Sequence, residues 1–194
     1  MPTGWHCAHA TFRYFSLAIA AFAGAALCAS PAVAGTVIGT VRAPGAVWIS
    51  DGSKPAPVAA SMHNSAKAFV PEVLIVPAGS TVTFPNDDPF LHSIYSAGGA
   101  NAFDLGFYGT GPGKQEVLPN AGVLDVACHI HPLMHAIIIV VDGPSATTDD
   151  TSFVLANVAP GRHVLHAWSG AYGERTTVVT VPAGRSSITL DKPL

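Results

Sequence analysis

Short apolar runs with alternating polar positions recur along the chain from Thr36 onward, each bounded by glycine or proline, and this period-two pattern predicts strands rather than helices. The predicted strands are Thr36 to Val41, Ala46 to Ile49, Val58 to Met62, Val73 to Val76, Thr81 to Phe84 and His92 to Tyr95. Glu116 to Leu118, Val123 to Ala127, Ala136 to Val141, Ser152 to Leu155, His163 to Trp168, Thr176 to Val181 and Ser187 to Leu190 complete the series. Pro77-Ala78-Gly79, Pro160-Gly161 and Pro182-Ala183-Gly184 supply turns between them. The expected class is all-β. Gly52 to Pro57 and Asp142 to Asp150 are polar, lack strand pattern and read as the joints between two domains.

Composition fits that picture. Of 194 residues 49% are hydrophobic and 11% charged, enough apolar material for one ordinary core or two small ones, and the 19 glycines and 16 prolines punctuate many turns. Residues 1–34 stand apart. Arg13 is their only charge, an apolar stretch runs from Leu17 to Ala29, and Ala32-Val33-Ala34 offers the small residues of a cleavage site. This reads as a signal peptide cut after Ala34. The apolar stretch falls short of the roughly 20 residues that span a bilayer, so no membrane span is expected after cleavage. Without Arg13 eight basic residues face twelve acidic ones, a formal charge of −4, which argues against a nucleic-acid partner.

Cleavage removes Cys7 and Cys28 and leaves Cys128 alone, so no disulfide can form within one mature chain. A lone cysteine in an oxidising compartment such as the periplasm is a liability unless it is buried or occupied, and a metal would occupy it. Cys128 opens the segment Cys128-His129-Ile130-His131-Pro132-Leu133-Met134, between two predicted strands. A thiolate, an imidazole and a thioether on one short loop suit copper, because sulfur ligands favour Cu(I) while imidazole accepts both oxidation states. His92, which follows Asn86-Asp87-Asp88-Pro89-Phe90-Leu91 and begins a strand, is the best candidate for a second imidazole. Two imidazoles, one thiolate and a long axial methionine describe a blue-copper site. Singly, His92 would be an ordinary turn residue and Cys128 a small buried hydrophobe. The set of four is what points to a metal.

These residues resemble the cupredoxins, whose first histidine ligand follows a strand ending in an Asn-containing turn, as Thr81-Val82-Thr83-Phe84-Pro85-Asn86 precedes His92 here. The Cys-x-x-His-x-x-Met spacing is most similar to amicyanin, a plastocyanin-like protein with a short ligand loop. The resemblance covers roughly Val58 to Asp142 and implies a Greek-key β-sandwich holding one type 1 copper through His92, Cys128, His131 and Met134. It further implies that the His131 ring edge reaches the surface within a ring of Pro89, Phe90, Leu91, Pro132 and Leu133. A redox partner, a dehydrogenase or c-type cytochrome, would dock there. Asn86 would tie the His92 turn to the Cys128 loop by hydrogen bonds, or else merely cap a turn, and the Ser93 backbone N–H would point at the sulfur.

The flanking segments Gly35 to Val41, Gly45 to Ile49 and Phe153 to Leu165 resemble the start and middle of a carboxypeptidase regulatory-like (transthyretin-like) sandwich. The expected organisation is therefore a cupredoxin domain at 53–145 inserted into a discontinuous sandwich of 35–52 and 146–194. This composite is similar to the plastocyanin-like proteins labelled methylamine utilisation proteins. Two departures, Asp149-Asp150-Thr151-Ser152 without the usual glycine and Ala167-Trp168-Ser169 in place of Val-Trp-His-Glu, count against a ligand role for its loops. The function expected is a periplasmic one-electron carrier and not an enzyme, with a copper-delivery module lacking a redox partner as the alternative. His63, His129, His135, His163 and His166 have no place in the four-residue set, and whether they bind a second metal stays open.

Overall fold

The computed structural model describes residues 34–41, 45–148, 151–183 and 187–189. In chain order its strands are β1 (Gly35–Thr40), β2 (Gly45–Ile49), β3 (Ala59–Ser61), β4 (His63–Ser65), β5 (Ala68–Val70), β6 (Val73–Pro77), β7 (Ser80–Asn86) and β8 (His92–Ser96). After a short 3-10 turn at Gly99–Asn101 come β9 (Phe103–Tyr108), β10 (Gly111–Leu118), β11 (Gly122–Cys128) and β12 (His135–Val141). The last are β13 (Ser145–Thr148), β14 (Ser152–Val158), β15 (Gly161–Ser169), β16 (Gly173–Val181) and β17 (Ser187–Thr189). The all-β expectation holds. The expected signal peptide and its cleavage site at Ala34 fall on residues 1–34, of which 1–33 lie outside the described residues.

Two runs decide how the strands stack. β2 is buried at every position, and in β12 only His135 is exposed. A strand with one wet face cannot give that pattern; one covered on both faces does. Side chains along a strand alternate between faces, and these two strands divide theirs between different cores. Ala136, Ile138 and Val140 pack with Val82, Phe84, Ile94 and Val126, whereas Ile139 and Val141 pack with Ala46 and Trp48. From β2, Val47 and Ile49 turn the other way, onto Val37, Phe153, Leu155 and Leu165.

The result is four sheets in layers, all within one compact unit. The outermost, β14-β1-β17, faces the sheet β13-β2-β15-β16 across the Val37 core. The reverse of that second sheet meets β6-β12-β11-β8-β9 across the Trp48–Ile139 seam. The last sheet, β10-β7-β4-β5 with β3 beside β7, closes the Phe84 core. The first two sheets draw their strands from residues 35–49 and 145–189, the last two from 59–141.

Three expectations change. The stretch from Asp142 to Asp150 is not free of strand: Ser145–Thr148 pairs antiparallel with β2, because β2 lies inside its sheet and needs a hydrogen-bonding neighbour on each side. The sequence pattern predicts neither strand of the pair β4 with β5, and of the pair β8 with β9 it predicts only β8. β4 is three polar residues and β5 three apolar ones, each too short to show a period, and β9 carries Gly106, which interrupts its alternation.

Candidate metal centre

The ends of β8 and β11 lie side by side, with Cys128 opposite Ile94. This pairing places His92, the first residue of β8, beside Cys128, the last of β11, although 35 residues lie between them in sequence. A tight loop then brings His131 back over the pair. It is closed by the Met134 N–H donating to the His131 carbonyl at 2.9 Å, after which β12 leads away. Two backbone bonds lock β8 to the loop: the His129 N–H donates to the Ser93 carbonyl at 2.9 Å, and the Ser93 N–H points at the Cys128 sulfur, 3.5 Å away.

Three potential ligand atoms converge. Cys128 Sγ lies 3.7 Å from His92 Nδ1 and 3.6 Å from His131 Nδ1, and the two nitrogens are 3.2 Å apart. Atoms at these separations lie on a circle of about 2.0 Å radius, against bonds of about 2.0–2.1 Å from a borderline divalent ion to imidazole and about 2.3 Å to thiolate. The donor set thus matches a trigonal metal in both chemistry and size. His92 is fully buried, Cys128 nearly so, and Met134 is buried in the same core.

The protonation pattern agrees. His92 Nε2 faces Asp88 Oδ2 at 3.0 Å, and the ring's other nitrogen, Nδ1, is the one turned to the centre. Burial pushes the Asp88 carboxyl up. The Lys67 N–H, the His92 ring and the Ala66 N–H outweigh that effect and hold it below its ordinary value, so it is ionised. His131 is held below the ordinary imidazole range by loss of hydration first, then by His92 and Lys67, against the pull of Asp88. A neutral imidazole keeps its lone pair available.

Phe90 covers both rings, with centroids 5.5 Å from His92 and 5.4 Å from His131, and Lys67 Nζ stands 5.3 Å from its face. Phe90 is the member of the expected apolar ring seen against His131; Pro89, Phe90, Leu91, Pro132 and Leu133 are all exposed, Leu133 to 95%.

Of the two roles open to Asn86, the structure shows the turn cap. Asn86 accepts the Asp88 N–H at 2.9 Å and donates to the Phe90 carbonyl at 2.8 Å, so it folds its own turn and ties nothing to the Cys128 loop. The tie is made by Ser93, whose two backbone groups are already spaced to meet that loop. Asp88 belongs to no motif that the sequence displays. Its one signal is its position four residues before His92, in a turn that returns the carboxylate to the ring.

The remaining histidines are engaged elsewhere. His129 stacks on Tyr95 at 3.9 Å and meets Asp104 at 3.3 Å, His135 donates to the Pro132 carbonyl, and His63 pairs with Asp87 at 2.8 Å. His163 donates to the Ala159 carbonyl, while His166 pairs with Glu174 and stacks on Trp48. The five belong to separate places, and the metal-sized group of histidine, cysteine and carboxylate residues among the described residues is His92, Cys128 and His131.

The two sheets drawn from 59–141 enclose one core as a β-sandwich, with this cluster at one end. No family model and no curated protein matches the chain. Among solved structures it is similar to the Cu-containing nitrite reductase (NirK) from Thermus scotoductus SA-01, with 30% identity and a TM-score of 0.40 over 44% of this chain and 22% of that one. The chain therefore spans about a fifth of that enzyme's length. A Cu(I) amicyanin variant is 22% identical over 42% of this chain and 81% of its own, with a TM-score of 0.39. The purple cupredoxin from Nitrosopumilus maritimus is 24% identical over 55% and 98%, with a TM-score of 0.35.

Proposed function

We propose that the chain is an exported type 1 copper protein that carries single electrons, and that His92, Cys128, His131 and Met134 would hold the metal. The observation that carries this reading is the buried triangle of Cys128 Sγ and two imidazole Nδ1 atoms, with sides of 3.2, 3.6 and 3.7 Å. Bound copper would supply a one-electron couple. The protein's part is to hold the ligands still. Cys128 and His92 sit on paired strands of a packed sheet, and the Ser93 N–H takes up part of the sulfur's charge. A cage fixed in this way changes little between oxidation states, which keeps the barrier to electron transfer low. Burial of His92, Cys128 and Met134 favours a carrier over a delivery module, which needs ligands open to exchange.

Electrons would pass through His131, at the centre of the exposed apolar ring of Pro89, Phe90, Leu91, Pro132 and Leu133. A redox protein such as a dehydrogenase or c-type cytochrome would seat an apolar face there. We further read residues 53–145 as the copper domain and 35–52 with 146–194 as a carboxypeptidase regulatory-like sandwich that packs against it, with export to the periplasm and cleavage after Ala34. The test is the visible and EPR spectrum of the chain from Gly35 after addition of Cu(II), beside Cys128→Ser. An intense band near about 600 nm with narrow copper hyperfine splitting, lost in the variant, is the expected result for a thiolate–copper bond. A pale protein with an ordinary tetragonal signal that survives the substitution overturns the reading.

A further inference from the structure

Asp88 is a buried carboxylate whose contacts are unusually complete. Its Oδ1 accepts the Ala66 N–H at 2.7 Å, and its Oδ2 accepts the Lys67 N–H at 3.0 Å and the His92 Nε2–H at 3.0 Å. Ala66 and Lys67 form the β4–β5 turn, and both sit in the left-handed region with φ of 54° and 59°. Glycine and asparagine usually occupy such positions. With side chains there, the turn presents two successive N–H groups to one carboxylate, the arrangement that binds anions. The turn therefore belongs to the Asp88 site and not only to the hairpin.

Resting on the copper reading above, we propose that Asp88 is a positioning residue that fixes His92 in its Nε2–H form and favours Cu(II) over Cu(I) in the bound centre, with the Ala66–Lys67 turn holding the carboxylate in place. The preference comes from charge. A thiolate with Cu(II) leaves one net positive charge in a buried site and with Cu(I) leaves none, so a fixed anion one imidazole away attracts the oxidised centre more strongly than the reduced one. Hydrogen-bonding the far nitrogen to a carboxylate also makes the imidazole a stronger donor, which again favours the higher charge.

The experiment uses the chain from Gly35 with its histidines labelled with nitrogen-15, beside Asp88→Asn and Asp88→Glu. In the metal-free wild type, nitrogen NMR is expected to find the His92 proton on Nε2. Asp88→Asn is expected to weaken Cu(II) binding by about tenfold or more while changing Cu(I) binding less. The reduction potential then rises by about 59 mV for each tenfold of that difference. Asp88→Glu, which keeps the charge, is expected to recover part of the loss. A His92 proton on Nδ1 in the metal-free wild type overturns the proposal. So does a folded Asp88→Asn protein whose ratio of Cu(II) to Cu(I) affinity stays within twofold of wild type. If Asp88→Asn does not fold, the wild-type tautomer decides alone. A wild type lacking the thiolate–copper band would instead sink the copper reading, while the tautomer result would still decide the role of Asp88 toward His92.

Discussion

Ser93 faces the Cys128 loop with both of its backbone groups: its N–H points at the Cys128 sulfur from 3.5 Å, and its carbonyl accepts the His129 N–H at 2.9 Å. Since His92 precedes Ser93 and His129 follows Cys128, these contacts hold His92 and Cys128, from distant parts of the sequence, in one register. The Ser93 residue is 1% exposed, which leaves its amide no route to water except opening of the sheet. Its amide should be among the slowest to exchange in deuterated solvent, and addition of copper should slow it further. Exchange as fast as that of the β4–β5 turn amides would show that the register is loose.

Gly113 lies in β10 with φ of 77°, and a Cβ added there would sit 1.8 Å from the Phe84 carbonyl oxygen of β7. Gly113→Ala should cost about 1–3 kcal/mol for the left-handed backbone alone, and more because β10 must shift away from β7. Urea denaturation of the variant beside wild type measures the loss. A cost under about 0.5 kcal/mol, the scatter of ordinary surface changes, would mean that β10 does not approach β7 this closely.

Trp48 fills the seam between the second and third sheets, is 5% exposed, and stacks on His166 with ring centroids 5.0 Å apart. Trp48→Ala should cost about 3–5 kcal/mol of stability. Because its contacts lie on the face of β12 away from Cys128, the copper spectrum should survive below the melting point. Loss of the spectrum in a folded Trp48→Ala protein would mean that the seam supports the ligand loop directly.

Tyr108 pairs with His92 across β8 and β9, and its hydroxyl accepts a hydrogen bond from Asn64. Burial, aided by the charge of Cys128, overrides that hydrogen bond and pushes the phenol up to about 12 from 10.0. The folded state thus holds this proton more tightly than the unfolded chain. The stabilisation is complete below pH 10.0 and is lost as pH rises toward about 12. The difference in ultraviolet phenolate absorbance between wild type and Tyr108→Phe should show the late titration, and urea melts should weaken more steeply across that window in the wild type. A phenolate step for Tyr108 at pH 10 would contradict the burial.

Leu133 is 95% exposed beside His131. If electrons pass through this face, two copies exchanging electrons must bring their apolar rings together. Leu133→Glu would then set like charges against each other, which costs several kcal/mol at an interface. Electron self-exchange, read from NMR line widths of mixed Cu(I) and Cu(II) protein, should slow by at least about tenfold, with visible spectrum and stability unchanged. An unchanged rate would place the exit elsewhere on the surface.

Much of this was legible in the sequence, for identifiable reasons. Cys128, His131 and Met134 share one loop, so their closeness is a matter of short chain length, and His92 could be matched to them by its place at a strand start. Strands with one wet face, such as β7, announced themselves by alternation. What could not be read was anything that depends on which elements meet. The Ala66–Lys67 turn and Asp88 are joined only through the fold, and nothing about Asn86 in sequence says whether it reaches outward or folds its own turn. The double burial of β2 and β12 gave continuous apolar runs, which announce a buried strand but not which two cores share it.

β1 and β2 find their partners almost entirely at the far end of the chain: β1 lies between β14 and β17, and β2 between β13 and β15. A chain emerging from its N-terminus would present these two strands about a hundred residues before anything exists to pair with them, while the strands of the middle sandwich find all their partners within residues 59–141. The order of assembly is therefore written into the connectivity: the middle sandwich can close while synthesis is still under way. The flanking one is a clasp, fastened last, when the final strands arrive on either side of the two that have been waiting.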